Sequence, residues 1–184
     1  MEMLRRMLYC PEFHIDTNLI NARGKLEEMN FIENWAENEV ILVHMSEDSF
    51  CEAQQGNHAA RTKKALSYIF TMIDDDINEN SSLYKQVAGI VFPNGVKDQN
   101  QSNDVKIICN ASHYQALLIT NDGGSKKQPG GILGNAKALQ NIATIFSPME
   151  AVSYIRKEIK KRDIHNQKVN KFTGTPTPKW HGCD

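Results

Sequence analysis

The sequence predicts an α/β fold, a mainly parallel sheet of about five strands with helices on both faces. Two observations lead there. Short aliphatic runs alternate with longer stretches whose apolar residues recur at helical spacing, the signature of strands alternating with helices. Two of those runs also lead into aspartates, at Ile15-Asp16 and at Leu117-Leu118-Ile119-Thr120-Asn121-Asp122. In a parallel sheet such residues collect at the carboxyl ends of the strands, where functional crevices form.

Taken in order, Phe13-His14-Ile15 is the first strand, and Asp16-Thr17-Asn18 opens a turn or a helix. Leu19 to Asn38 is helical in character, with Leu26, Met29, Phe31, Ile32 and Trp35 as its apolar contacts. Gly24 and Asn30 leave open whether this is one helix or two. Val40-Ile41-Leu42-Val43 is a buried strand, and Ser46 is a natural N-cap for a helix over Glu47 to Gln54. His58 to Ile73 forms another helix, with Ala65, Leu66, Ile69, Phe70 and Ile73 facing inward. Asp74 to Ser82 is an exposed acidic loop. Val87 to Phe92 is either a short strand or the end of a helix, and Pro93 to Ser102 is a polar loop.

Asn103 then caps a helix that carries Asp104 in its first turn and runs to about Ala116. A helix of about twelve residues travels roughly 18 Å. The strand Leu117 to Thr120 returns about 17 Å, so Asp122 comes back to the level of Asp104. Gly123 to Gly131 is a mobile loop carrying Lys126 and Lys127. Ile142 to Phe146 is the last strand. Ser147-Pro148 caps a helix from Met149 to about Lys161, proline being well placed in the first turn. From Asp163 onward prolines, glycine and threonines replace periodicity. The expected organisation is one domain over residues 1–162 and a basic, flexible tail over 163–184.

Composition bounds the function. The chain has 184 residues, 40% hydrophobic and 23% charged, with a net charge of -1, as in an ordinary soluble globular protein. Residues 1–149 carry 13 Lys and Arg against 18 Asp and Glu, and residues 150–184 carry 8 against 4. An acidic body with a basic end suits a metal site beside a polyanion contact. Cys10, Cys51, Cys109 and Cys183 are scattered without C-x-x-C spacing, which argues against a zinc finger or disulfide framework. Cys10-Pro11-Glu12 breaks the N-terminal apolar stretch before a signal-peptide core forms. No run reaches the roughly 18 apolar residues of a membrane span. These features point to a cytoplasmic protein without a membrane partner.

Asp16, Asp104 and Asp122 can therefore share one edge of the sheet, with a fourth acid, Glu52 or Glu47, on the helix after the second strand. Gathered carboxylates repel and resist ionisation unless a cation sits among them. Hard oxygen donors suit Mg²⁺ or Mn²⁺, and such ions support phosphodiester hydrolysis. The six histidines show no shared metal spacing. Lys126, Lys127 and the Lys160-Lys161-Arg162 run with Trp180 offer candidate contacts to a nucleic-acid backbone.

The D-T-N after the first strand, the acid on the next helix and the later N-D-x(6)-A-x(8)-T-N-D together resemble the PIN-domain nucleases. The resemblance covers roughly Phe13 to Lys160, with Ile132-Leu133-Gly134 and Ser147-Pro148 matching the family's ending. It implies a compact three-layer α/β/α domain, a Mg²⁺- or Mn²⁺-dependent acidic pocket and single-stranded RNA as substrate, DNA being an open alternative. Carried over, Asp16, Asp104, Asp122 and Glu52 are the acidic, metal-holding and catalytic positions. Asn18 and Thr120 are flanking polar positions, and Ser46 anchors the spacing to Glu52. The longer middle, Asp74 to Ser102, and the Gly-rich loop depart from the pattern. The expected activity is that of an endoribonuclease, of toxin or RNA-processing type. An antitoxin or other protein partner and a homodimer are further partners the family suggests. The competing reading is a PIN-like module that binds RNA or a protein without turnover.

Overall fold

In the computed structural model, described for residues 6–21, 23–55, 58–67, 77–124 and 130–184, four parallel strands form one sheet in the order β2-β1-β3-β4. The strands are β1 (Phe13–Ile15), β2 (Val43–His44), β3 (Leu117–Ile119) and β4 (Thr144–Phe146). Parallel pairing demands crossovers, and helices supply them. These are α1 (Glu27–Glu37), α2 (Glu47–Gln54), α3 (Ala59–Ser67), α4 (Ser82–Val91), α5 (Gln99–His113), α6 (Gly131–Gly134), α7 (Ala136–Leu139) and α8 (Pro148–Thr173). The α/β class is as expected, but the sheet has four strands among the described residues rather than about five.

Side chains alternate across the sheet and feed two cores. Phe13, Ile15, Leu117 and Ile119 pack with Met29, Ile32 and Trp35 of α1 and with Ala151, Val152, Ile155 and Ile159 of α8. Leu118 and Ile145 point the other way, onto Val87 and Val91 of α4, Ile108 of α5 and Leu139 of α7. Removing one fully enclosed side chain from such a layer typically costs about 2–5 kcal/mol.

Several expected boundaries move, each for a physical reason. Of the two readings of Val87 to Phe92 the end of a helix holds: Val87 to Val91 close α4 and Phe92 is its C-cap, while the N-cap Ser81 accepts from Tyr84 N and Tyr84, Val87 and Val91 are buried at helical spacing. The helix predicted from Leu19 reduces to a 3-10 turn, Thr17–Leu19, and to α1 from Glu27. Between them the Asn21 amide bonds Leu26 N at 3.1 Å and Asn30 Oδ1 at 2.8 Å, bracing the start of α1 from outside the helix. Of Val40 to Val43, only Val43 pairs with β1, although Val40 and Ile41 are buried. Asp98, not Asn103, caps α5, accepting from Gln101 N at 3.0 Å. Pro93 to Ser102 is therefore loop only as far as Asp98. The α3 expectation over 68–73, the start of the acidic loop at 74–76, and Lys126 and Lys127 lie outside the described residues.

The C-terminal segment differs most. Helix α8 does not stop near Lys161 but runs to Thr173, where Gly174 at φ 68° turns the chain out of it. Its start holds the expected Ser147 cap, completed by Glu150 as a reciprocal pair. Beyond Gly174 the chain folds back. Arg162 bonds Asp184 at 3.0 Å and lies 4.8 Å from the Trp180 ring, while Arg6 bonds the same Asp184. Trp180 is thus engaged with the body of the protein. No helix among the described residues is long and apolar enough to cross a membrane.

One polar cluster lies inside the sheet. His14 and His44 are register partners on β1 and β2. Both approach Glu12, His14 Nε2 at 3.1 Å and His44 Nε2 at 3.4 Å. Burial pushes the His14 pKa below its ordinary value, with Glu12 pulling the other way. A neutral His14 donates Nε2–H to Glu12 and leaves Nδ1 buried without a hydrogen bond. Glu12→Ala should therefore destabilise the fold by about 1–3 kcal/mol, the cost of unpairing buried polar groups. Glu12→Gln, which keeps an acceptor, should cost less. Urea midpoints test this, and an unchanged midpoint for the alanine variant would refute it.

Candidate carboxylate site

The candidate site forms where β1 and β3 end. Asp16 is the first residue past β1, yet its N–H still bonds Ile119 O at 3.0 Å, so it is locked to the sheet edge. Thr120 continues β3 in the same way, bonding Phe146 O at 3.1 Å. The two side chains meet, and Thr120 Oγ1 donates to Asp16 Oδ2 at 2.6 Å. The same hydroxyl oxygen accepts from Asn18 Nδ2 at 3.3 Å and from Asp122 N at 3.0 Å. A hydroxyl has one proton and two lone pairs. All three are used, so the direction of the Thr120 proton is fixed.

Asn18 completes that half of the site. Its Nδ2 donates to Asp16 Oδ2 at 2.7 Å, and its Oδ1 accepts from Asn121 N at 3.1 Å. It thereby ties the turn after β1 to the chain after β3.

The other half is less satisfied. Thr17 Oγ1 lies 3.1 Å from Asp16 Oδ1 and 3.0 Å from Glu52 Oε2. One hydroxyl proton cannot serve two carboxylates. If both acids are ionised, one oxygen lacks this donor, and a proton or a cation is needed to balance the pair. Of the two acids considered on α2, it is Glu52 that joins Asp16 in this way, while Glu47 sits in the helix's first turn. Ser46 lies outside the network. It is buried and caps α2, accepting from Ser49 N at 3.3 Å, and so acts on Glu52 through the helix it starts.

Asp122 is held by backbone donors. Gly124 N bonds Oδ1 at 3.0 Å and Ile132 N bonds Oδ2 at 2.8 Å, while Leu133 N bonds its carbonyl at 3.0 Å. Gly131 makes this wrap possible. It has φ 56°, and a Cβ there would lie 2.4 Å from Gly124 N and 2.6 Å from Asp122 Oδ2. The negative charge of Asp122 is felt at Asp16, which is only 7% exposed. Burial is the main force raising the Asp16 pKa above the ordinary aspartate value. Asp122 adds to it, and hydrogen bonds from the hydroxyls of Thr120 and Thr17 and from the backbone of Asn18 oppose it.

The structure therefore brings together Asp16, Asn18, Thr120 and Asp122, with Glu52 reached through Thr17. Because α5 begins at Gln99, Asp104 sits past the first turn, half-buried, about 8 Å along the axis from the helix start. Among the described residues no three His, Cys, Asp or Glu side chains gather as a metal ion would require. With no all-protein cage among the described residues, a Mg²⁺ at this edge would be held in that ion's usual way, by one or two carboxylates and water. The oxygen donors of Asp16 and Asp122 fit that mode.

Compared with family models, curated proteins and solved structures, the chain matches none.

Two residues of the site were not singled out from sequence. Thr17 lay within the D-T-N motif, but its bridging role depends on a helix 35 residues away. Arg61 of α3 donates Nη2 to Thr17 O at 3.0 Å, fixing the backbone of that bridge. An arginine in a helix carries no local mark of such a contact.

Proposed function

We propose that the chain is a metal-dependent endoribonuclease of the PIN type, hydrolysing phosphodiester bonds of single-stranded RNA on a three-layer α/β/α scaffold. The observation that carries this reading is the carboxylate edge itself. Asp16 is buried within reach of the negative charge of Asp122, and the single proton of Thr17 stands between Asp16 and Glu52. Such a site carries more negative charge than its own donors balance. Mg²⁺ or Mn²⁺, when bound, would activate water and offset charge developing on the phosphoryl group. Asp16 and Asp122 would hold the ion, with Glu52 joining through Thr17. Thr120 and Asn18 keep the Asp16 carboxylate in one orientation, and Arg61 keeps Thr17 in place.

Purified protein incubated with single-stranded RNA and Mn²⁺ should cleave it, and Asp16→Asn should abolish cleavage. Failure to cleave any RNA or DNA across divalent metals would overturn the reading. A second reading, a PIN-like module that binds RNA or a protein without turnover, is favoured by the absence, among the described residues, of any three His, Cys, Asp or Glu side chains grouped to hold a metal ion. Mn²⁺ separates the two, since a ligand that binds only the folded state must raise its melting temperature. A rise that Asp16→Asn removes supports the nuclease. No rise supports the binding module.

A further inference from the structure

Helix α8 carries a feature that the carboxylate site does not use. Its buried side consists of Ala151, Val152, Ile155, Ile159, Asn166 and Val169. On the opposite side Lys157, Lys160, Lys161, Lys168 and Lys171 fall at spacings i, i+3, i+4, i+11 and i+14, all exposed. At 3.6 residues per turn these positions fall within an arc of about 100° and extend about 21 Å along the helix. Ile164 lies on the same arc and Phe172 about 20° beyond its edge, 46% and 92% exposed. Among the described residues the only ion pair these lysines make is Lys161 to Glu158.

Such a face costs the fold something. Like charges at i+3 and i+4 destabilise a helix by about 0.2–0.5 kcal/mol per pair, and Lys157–Lys160, Lys157–Lys161 and Lys168–Lys171 are such pairs. Residues 150–184 carry 8 Lys and Arg against 4 Asp and Glu, whereas residues 1–149 carry 13 against 18. The helix is nonetheless capped at both ends, by Ser147 with Glu150 and by Gly174, and Arg162 ties its middle to Asp184 and Trp180. The lysines are thus presented on a fixed rod rather than on a loose tail.

We propose that this face of α8 is a docking rail for the phosphate backbone of single-stranded RNA, with the Phe172 ring as a stacking surface for a base. The proposal rests on RNA being the substrate class of the carboxylate site. Charge complementarity selects a polyanion, and an exposed aromatic ring beside lysines selects unpaired bases, whose faces are free to stack. The rail also has a direction. Helix α8 starts just after β4, at the same sheet edge as Asp16 and Asp122, and Lys157 lies about 14 Å along it. A strand tracking the lysines therefore has one end directed toward the carboxylate edge. Long RNA should use the rail, and short oligonucleotides should not.

The test is binding of a fluorescent oligouridylate about 20 nucleotides long to the full chain in EDTA, titrated with KCl. Replacing Lys157, Lys160, Lys168 and Lys171 with Gln should weaken binding at least tenfold at low salt. The slope of log K against log salt should fall by about 3, at roughly 0.7 per phosphate contact for single strands. Phe172→Ala should weaken binding without changing the slope. Thermal melting checks folding, and the glutamine variant should melt no lower than the parent. An unchanged slope in the folded variant overturns the rail. So does equal binding of a duplex of the same length, which would mark a general polyanion surface. Because binding is read without metal, the two readings fail separately. Lysine-dependent binding without cleavage sinks the nuclease and leaves the rail, and cleavage of long RNA unaffected by the four substitutions does the reverse.

Discussion

Asp16→Asn is expected to make the metal-free protein more stable at neutral pH, by on the order of 1 kcal/mol, or roughly 2–4 °C in melting temperature for a chain of this size. Most substitutions of a buried, multiply bonded residue destabilise, so the sign is diagnostic. An asparagine has a consistent hydrogen-bond solution here. Its Oδ1 takes the place of Asp16 Oδ2 and accepts from Thr120 and Asn18. Its Nδ2 takes the other position and donates to Thr17 Oγ1, whose proton is then free for Glu52 Oε2. The side-chain partners of both oxygens are thus matched, and the buried charge that Asp122 opposes is gone.

The pH dependence follows from the direction of the Asp16 shift. Its folded-state pKa is raised above the ordinary 3.8. A group of that kind stabilises the fold fully below its unfolded pKa and loses that contribution as pH rises through its folded pKa. The parent should therefore lose stability, relative to the asparagine variant, as pH climbs from the ordinary aspartate range to the raised folded-state pKa. Above that point the gap should stay level. Denaturation midpoints of both proteins in EDTA between acidic and neutral pH measure it. A variant less stable than the parent at neutral pH, or a gap that ignores pH, would show that Asp16 is not under this strain. Saturating Mn²⁺ should reverse the order, because only the parent retains the ligand.

That strain was partly legible in the amino-acid sequence. Asp16 and Asp122 follow buried aliphatic runs, and burial of Phe13, Ile15, Leu118 and Ile119 is what puts both acids at one edge. A short run of β-branched and aliphatic residues carries that information locally. The position of Asp104 did not follow, because Asp98 and Asn103 are both good caps and polar residues between them give no periodicity to choose the start. Val87 to Phe92 stayed open between strand and helix end for a related reason. An apolar run of that length fits a strand or a buried helix, and Ser81 decides through a cap bond that forms only in the folded chain. The length of α8 was hidden because beyond Arg162 its buried side continues with Asn166 and Val169, too sparse an apolar pattern to read. Thr17 and Arg61 act across tertiary contacts, for which one sequence has no signal.

Gly131→Ala should be the most damaging single change near the site. At φ 56° a residue with a Cβ pays about 1–2 kcal/mol for the left-handed conformation alone. The new methyl would also lie 2.7 Å from Asp122 O and 2.4 Å from Gly124 N, and neither backbone atom can swing aside as a side-chain tip can. The chain from Asp122 to Gly124 must shift, breaking the bonds from Ile132 N to Oδ2 and from Leu133 N to the Asp122 carbonyl. A total loss of about 2–4 kcal/mol is expected from backbone strain and unpaired polar groups together. Gly134→Ala is the matched control. It lies in the same short helix, its Cβ would meet nothing within 4 Å, and alanine suits its helical backbone. It should leave the melting temperature unchanged or slightly raised. If Gly131→Ala proves as mild as Gly134→Ala, the wrap around Asp122 is not a constraint of the fold. If it lowers stability while the Mn²⁺-induced rise in melting temperature persists, Asp122 is not among the groups that hold the ion. Loss of both would place Asp122 where its backbone bonds put it, beside Asp16 at the edge of the sheet.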